Sequence, residues 1–328
     1  VFDDSSSRPV VVLTQVDDPT ADMVIRHLNA AGVPVVRLDP ADFPRTLSLS
    51  ARISAGGHWS GRITTSSRKF DPATARALWL RRPGRRSFPG MDIATAKYAE
   101  AQAEVGLDGI LRSMADCLYV NHPAAHKAAS VKPVQLDAAS RAGFAIPDTL
   151  ITNDPADARE FCAAQPSIHK PLGPSLWQPD GDRLFLVNVS TMADPDGLDE
   201  SVGTTAHLFQ ARVPKQHDVR LTVIGDRMIP VVIDSMGALD WRTTYDGNTY
   251  RVLQELPGDI EQAVKSFMAE LGLVYAAFDF AIGFDERWWF LEANPAGQFA
   301  WLEEPTGYPL TAAMAEFLAR TPYPRETQ

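Results

Sequence analysis

Two acids lie inside apolar runs near the end of this 328-residue chain: Asp279 in Ala277-Phe278-Asp279-Phe280-Ala281, and Glu292 in Phe290-Leu291-Glu292-Ala293-Asn294-Pro295. Acids rarely sit in such runs without a partner. Side chains alternate along a strand, so Glu292 and Asn294 project from one face, roughly 7 Å apart at the backbone. A hairpin centred between Asp285 and Glu286, with a loop of two or of four residues, sets Asp279 opposite Glu292. Opposed side chains stand about 4.5–5.5 Å apart, and two carboxylates that close repel unless a cation lies between them. Oxygen ligands without His or Cys favour Mg2+, which takes one or two carboxylates and completes its shell with phosphates and water. The metal ligands expected are Asp279, Glu292 and Asn294, and the chemistry is that of a nucleotide. The alternative is that Asp279 is satisfied by local hydrogen bonds while Glu292 and Asn294 end a strand before Pro295.

The elements that must position these residues are readable upstream. Val10-Val11-Val12-Leu13, a helical pattern ending before Gly32 and an apolar run over 33–38 form a βαβ unit. A hairpin is expected around Gly56, Gly57 and Gly61, a buried strand at Ala77-Leu78-Trp79-Leu80, and one long Ala-rich helix over 93–118. A helix over 127–142 stops at Gly143, as a C-cap glycine would make it. A strand is expected over 183–189, then strands over 207–213, 219–224, 228–234, 274–282 and 288–293, with a helix over 259–271. Together they give an α/β N-terminal domain at 1–121, a compact central domain at 122–205 and an α+β domain of mostly antiparallel strands at 206–328.

Asp279 followed by Glu292-Ala293-Asn294-Pro295 resembles the metal-binding signature that closes ATP-grasp ligases, and other stretches fall in the family's order. Lys132 and Lys170 resemble the two lysines aimed at ATP phosphates; in isolation each is equally a solvated lysine. Phe209-Gln210-Ala211-Arg212-Val213-Pro214-Lys215 resembles the interdomain segment that binds adenine, which makes Gln210, Ala211, Arg212, Val213 and Lys215 cofactor contacts. Asp218-Val219-Arg220 resembles the Asp-x-Arg element, where Arg220 stabilises charge during transfer; Asp218 is the candidate base. A plain Asp–Arg pair is the other reading. The phosphate-covering loop departs from the pattern, with Gly173 between Pro171 and Pro174 as its only glycine.

Leu78-Trp79-Leu80-Arg81-Arg82-Pro83, Ile146-Pro147-Asp148-Thr149 and Asn294-Pro295-Ala296-Gly297-Gln298-Phe299 are similar to ATP-grasp ribosomal peptide maturases, the microviridin-type enzymes that make graspetides. The resemblance implies a pre-ATP-grasp domain, ATP and Mg2+ as cofactors, and a homodimer. It also implies a precursor peptide, leader plus core, whose Asp or Glu side chains are joined to Thr or Ser as esters or to Lys as amides. Arg81-Arg82-Pro83-Gly84-Arg85-Arg86 is then either a peptide or phosphate contact or a solvated loop. Two other readings share parts of this site: a ligase adding glutamate to a protein terminus, and a nucleotide- or peptide-binding protein without turnover.

Composition bounds the partners. Forty-one acids against thirty-one Lys and Arg give a net charge of −10, unfavourable for nucleic acid or an anionic membrane. Two cysteines, Cys117 and Cys162, indicate neither a disulfide framework nor a zinc site. With no apolar run of spanning length, the cytoplasm is the expected compartment.

Overall fold

The computed structural model describes residues 2–3, 8–55, 57–173, 175–177, 185–187 and 190–320. After a short β1 (Phe2–Asp3), the expected βαβ unit appears as β2 (Val10–Leu13), α1 (Pro19–Ala30) and β3 (Val35–Leu38). Asp18 begins α1 by accepting the Ala21 amide, with Pro19 at the first helical position. β4 (Ser48–Arg52), β5 (Ser60–Thr64) and β6 (Arg68–Phe70) form an antiparallel sheet that β1 joins in parallel. β7 (Ala77–Leu80) follows, and the sequence over 93–118 is not one helix. It divides into α2 (Ile93–Ala103), a wider π turn over Glu104–Asp108, α3 (Gly109–Arg112) and β8 (Leu118–Val120). Leu118 pairs with Ala77, so edge pairing overrides helical periodicity there. The parallel sheet runs β3-β2-β7-β8, and the four residues of β2 are buried, as a strand covered on both faces requires.

The helix expected over 127–142 breaks before Pro133 into α4 (Pro123–Ala129) and α5 (Lys132–Ala142), and Gly143 caps the second at φ +95°. β9 (Thr149–Thr152), α6 (Pro155–Ala164), β10 (Ser167–Lys170), β11 (Ser175–Trp177), β12 (Phe185–Val187), β13 (Thr191–Met192) and β14 (His207–Ala211) follow. Their main sheet is ordered β13-β10-β14-β9, and β11 pairs with β12. Pro174 and Gly56, and residues 183–184 and 188–189 of the expected 183–189 strand, lie outside the described residues. β14 lies beyond the 205/206 boundary yet belongs to the central sheet.

The third sheet is built from β15 (Lys215–Ile224), β16 (Arg227–Asp234), β17 (Thr249–Val252), β18 (Tyr275–Gly283) and β19 (Trp288–Asn294), in the order β17-β16-β15-β18-β19. β17, Thr249-Tyr250-Arg251-Val252, alternates at every step but is only four residues long and is not among the strands expected from the sequence. On one face of this sheet α5 and α7 (Gly258–Glu270) bury Val219, Leu221, Phe267, Phe278, Phe280 and Phe290. The chain then turns through α8 (Glu303–Thr306) into α9 (Leu310–Ala319), which packs back on α1. Among the described residues no helix is long and apolar enough to cross a membrane.

Arg81 does not belong to an exposed run. It is 4% exposed, donates to Asp18 from Nε and Nη2 at 3.2 and 3.3 Å, and reaches Gln298 Oε1 at 2.9 Å and the Ala296 carbonyl at 3.3 Å. Thr14 donates to the same Asp18 carboxylate at 2.8 Å. The N-terminal sheet is thereby tied to the loop that follows Asn294. Arg81→Met should destabilise the protein by about 3–5 kcal/mol, because it leaves the Asp18 charge buried and unpaired. Urea unfolding checks this, and adding Asp18→Asn should recover a large part of the loss.

Candidate functional site

Between the central sheet and the open face of the C-terminal sheet lies a cleft of about 940 Å³, and every site residue expected from the sequence lines it. Register makes its centre. Arg220 on β15 pairs with Asp279 on β18, and Asp279 pairs with Glu292 on β19, so three charged side chains form a row across adjacent strands. The expected pairing of Asp279 with Glu292 is present, although the hairpin is not centred between Asp285 and Glu286. Gly283 donates to the Arg287 carbonyl at 2.9 Å, which centres the turn on Asp285. Near the turn Phe280 faces Phe290; one step on, Asp279 faces Glu292, so Leu291 is an extra residue in a β-bulge. The bulge restores the alignment and bends β19 at the cleft.

The two carboxylates are held together by cations from three elements. Arg220 Nη1 lies 3.0 and 3.1 Å from the Asp279 oxygens. Lys132 Nζ, at the start of α5, donates to Glu292 at 2.7 Å. Arg242, in the 3-10 segment Trp241–Gly247, donates to Asp279 at 2.7 Å and to Glu292 at 3.2 Å, bridging the pair. Trp241 packs beneath both guanidinium groups, 4.8 Å from Arg242 and 5.5 Å from Arg220, and stacks on Trp301. Burial pushes the Asp279 carboxyl upward in pKa, and the two guanidinium groups only partly offset it. Burial acts the same way on Glu292, but there Lys132 and Arg242 prevail and hold it well below the usual range.

The donor set fits a hard divalent cation. Asp279 Oδ1 is buried and, although Arg220 Nη1 lies 3.0 Å away, receives no well-aligned hydrogen bond; Glu292 is within one strand spacing, and Asn294 adds an amide from the same strand. Among the described residues no three His, Cys, Asp or Glu side chains converge, so a metal here would take its other ligands from substrate and water. The Asn294 side-chain oxygen Oδ1 accepts from the Ala296 amide at 3.0 Å, which opens the turn leading to Gly297. A Cβ at Gly297 would meet that of Ala277 at 2.4 Å, so only glycine lets the turn lie against β18.

The remaining candidates divide by environment. Lys170 donates to Gln210 Oε1 at 2.7 Å, and Gln210 donates onward to Thr149 at 2.9 Å. Burial lowers the Lys170 pKa to about 8, although Glu292 opposes the shift. The amides of Ala211 and Arg212 already bond the carbonyls of Asp148 and Pro166 at 2.8 Å, which leaves Val213 and the side chains of this segment to meet a ligand edge. Lys215 is paired with Asp218 at 2.7 and 2.8 Å and bonds the Leu239 carbonyl at 3.0 Å. Asp218 also accepts from Ser235 at 3.1 Å; burial nevertheless raises its pKa above the ordinary carboxylate value. Arg242 and Trp241 escaped the sequence reading because Leu239-Asp240-Trp241-Arg242 has the composition of an ordinary loop.

A profile of the MvdD pre-ATP-grasp domain matches residues 10–127. Across almost the whole length, the structure superimposes on a RiPP-associated ATP-grasp ligase from Chryseobacterium gregarium, solved with ADP and a leader and core peptide. The TM-score is 0.85 at 24% identity, covering 98% of this chain and 100% of that one. The chain has the ATP-grasp fold. This ATP-grasp chain is also similar to the macrocyclase MdnC from Microcystis aeruginosa MRC, solved with the precursor peptide MdnA, at TM-score 0.82 and 26% identity over 95% of this chain and 99% of that one. A third likeness is to the ATP-grasp ligase PsnB, solved with a precursor variant, Mg and ADP, at TM-score 0.76 and 21% identity over 95% and 98% of the two chains. No curated protein matches the chain.

Lys170 gives the cleft a pH signature. Its folded-state pKa, about 8, lies below the ordinary lysine value of 10.5, so between these values the unfolded chain binds more protons and stability rises with pH. The cost of burying the ammonium is carried in full below about pH 8. Lys170→Met should abolish that rise, as thermal unfolding from pH 7 to 10 would show. Nucleotide affinity should run the other way in the wild type, weakening above pH 8 by about tenfold per unit, and Lys170→Arg, which stays charged, should flatten that limb in ADP titrations.

Proposed function

We propose that this ATP-grasp chain is an ATP-dependent peptide macrocyclase. It activates Asp or Glu side chains of a ribosomal precursor peptide and joins them to Thr or Ser hydroxyls, or to a Lys amine, in the same peptide. The observation that carries the reading is the Arg220–Asp279–Glu292 row, bordered by Lys132, Lys170 and Arg242, in one cleft of the fold shared with the peptide-bound ligases. Asp279, Glu292 and Asn294 hold Mg2+, and Lys132 and Lys170 meet the phosphates. Gln210, Ala211, Arg212, Val213 and Lys215 border the nucleotide, with Val213 offering the backbone edge. Bound there, Mg2+ supplies charge neutralisation at the phosphate oxygens.

A substrate carboxylate oxygen attacks the γ-phosphorus, the bond to the β-phosphate oxygen breaks, and ADP leaves with that electron pair. The acyl phosphate is then attacked at its carbonyl carbon by the hydroxyl or amine, the carbon–oxygen bond to phosphate breaks, and phosphate departs. Both steps gather negative charge in a site already lined by Arg220, Arg242 and the two lysines, so catalysis is chiefly positioning and electrostatics. Asp218, whose pKa burial raises, is the base that this reading assigns to the proton of the incoming hydroxyl. No nucleophile from the chain is required. A homodimer working in the cytoplasm is part of the same reading.

Incubated with ATP, Mg2+ and a Thr- and Asp/Glu-rich precursor, the protein should yield products lighter by one water per link, read by mass spectrometry. Products that only gain the mass of an added amino acid would instead identify a terminal ligase. Asp279→Ala and Glu292→Ala should each lower ADP formation by about two to three orders of magnitude, with unchanged circular dichroism. Wild-type turnover by either variant would rule out the metal assignment.

A further inference from the structure

β19 is the edge strand of the C-terminal sheet, and it carries two of the three residues assigned to the metal, Glu292 and Asn294. An edge strand next to a bulge lacks the second ladder that fixes a central strand in place. Here its outer edge is occupied at two points. Near the turn, Phe290 donates to the Ala145 carbonyl at 2.8 Å. At the cleft end no strand is paired with it among the described residues, and a side chain takes that place. Gln135 Oε1 accepts from the Ala293 amide at 3.0 Å, and Gln135 Nε2 donates to the Ala293 carbonyl at 2.8 Å. A primary amide in this pose reproduces the pair of bonds that a neighbouring strand would make. Its remaining N–H goes to the Ala129 carbonyl at 2.6 Å, and the residue is 5% exposed.

Ala293 lies between Glu292 and Asn294, so the backbone bonded by Gln135 is the peptide from which both side chains reach the cleft. Gln135 also stands one turn along α5 from Lys132, whose ammonium bonds Glu292 at 2.7 Å. One helix therefore holds both the side chain of Glu292 and the backbone beside it. We infer that Gln135 is a positioning residue of the metal site: its amide clamps Ala293 and so sets where Glu292 and Asn294 present their oxygens. The inference rests on the metal reading given above. Gln135 borders the cleft, but both of its N–H groups and its oxygen are committed to the backbone of Ala129 and Ala293, so its loss should act through the metal and leave peptide recognition alone.

The test uses the full chain and Mg2+ itself. Gln135→Met keeps the volume and removes every bond of the amide. The Mg2+ concentration giving half-maximal ADP formation should rise about tenfold, while the KM for the precursor peptide changes less than about twofold. Gln135→Asn, which withdraws the same amide by one methylene, should shift in the same direction and serves as the reading if the methionine variant fails to fold. Thr311→Val, which removes a buried hydroxyl bonded to Glu303 on α8, is the comparison for a purely structural loss: it should lower the melting temperature without moving the Mg2+ response. A Gln135→Met protein that melts earlier but saturates with Mg2+ as the wild type does would overturn the inference. Loss of folded protein in both Gln135 variants would overturn it too, by making the amide a brace of the whole fold. Asp279→Ala distinguishes the levels: if it retains wild-type ADP formation the metal reading itself fails, whereas loss of activity there with an unmoved Gln135→Met response removes only the role of Gln135.

Discussion

Two carboxylates on neighbouring strands repel each other, and the C-terminal half of the chain is organised around that repulsion. The sheet register sets Asp279 opposite Glu292, and their charges alone would push them apart. They are held by positive charge drawn from three separate elements: Arg220 from β15, Lys132 from α5, and Arg242 from the segment after β16. Arg242 is bonded to both acids, at the place where a divalent cation between them would act. Asp279 and Glu292 would hold a divalent cation in place of the Arg242 guanidinium, and the cation would supply the same neutralising charge between them. Trp241, itself stacked on Trp301, gives that guanidinium a flat aromatic support.

Much of the site was legible because strand periodicity is simple. An acid within an apolar run, facing a second acid across a hairpin, is visible from residue order alone, and Asp279 and Glu292 do face each other. The route to that pairing was incomplete, however. The turn is centred half a residue away from the expected point, and Leu291 compensates by bulging. Hydrophobic alternation cannot report a bulge, since Phe290, Leu291 and Ala293 are all apolar. The twelve expected residues gather in one cleft, ten of them on β10, β14, β15, β18, β19 or the start of α5, and Arg212 and Val213 in the link between β14 and β15.

What escaped notice depends on contacts far apart in sequence. Arg242 lies in a loop, and its importance comes from residues 37 and 50 positions away. Gln135 looks like one polar residue in an ordinary helix until β19, 158 positions on, is set beside it. Composition also misleads locally. The arginines from Arg81 to Arg86 suggest a charged surface, yet Arg81 is buried against Asp18 and Arg86 pairs with Asp108. The long alanine-rich segment keeps helical periodicity beyond the point where the chain turns into β8, because periodicity says nothing about which edge of a sheet is still open.

The Arg81 cluster has a consequence for how such proteins can be recombined. The guanidinium follows β7 of the N-terminal sheet, the carboxylate belongs to the start of α1, and the amide that completes the set, Gln298, to the loop just beyond β19. Arg81 therefore finds its last partner 217 residues further along the chain. A chimera joining this N-terminal domain to the catalytic half of a relative would need to carry residue 298 and its turn across with it, or else place an arginine and an aspartate against a loop shaped for different partners.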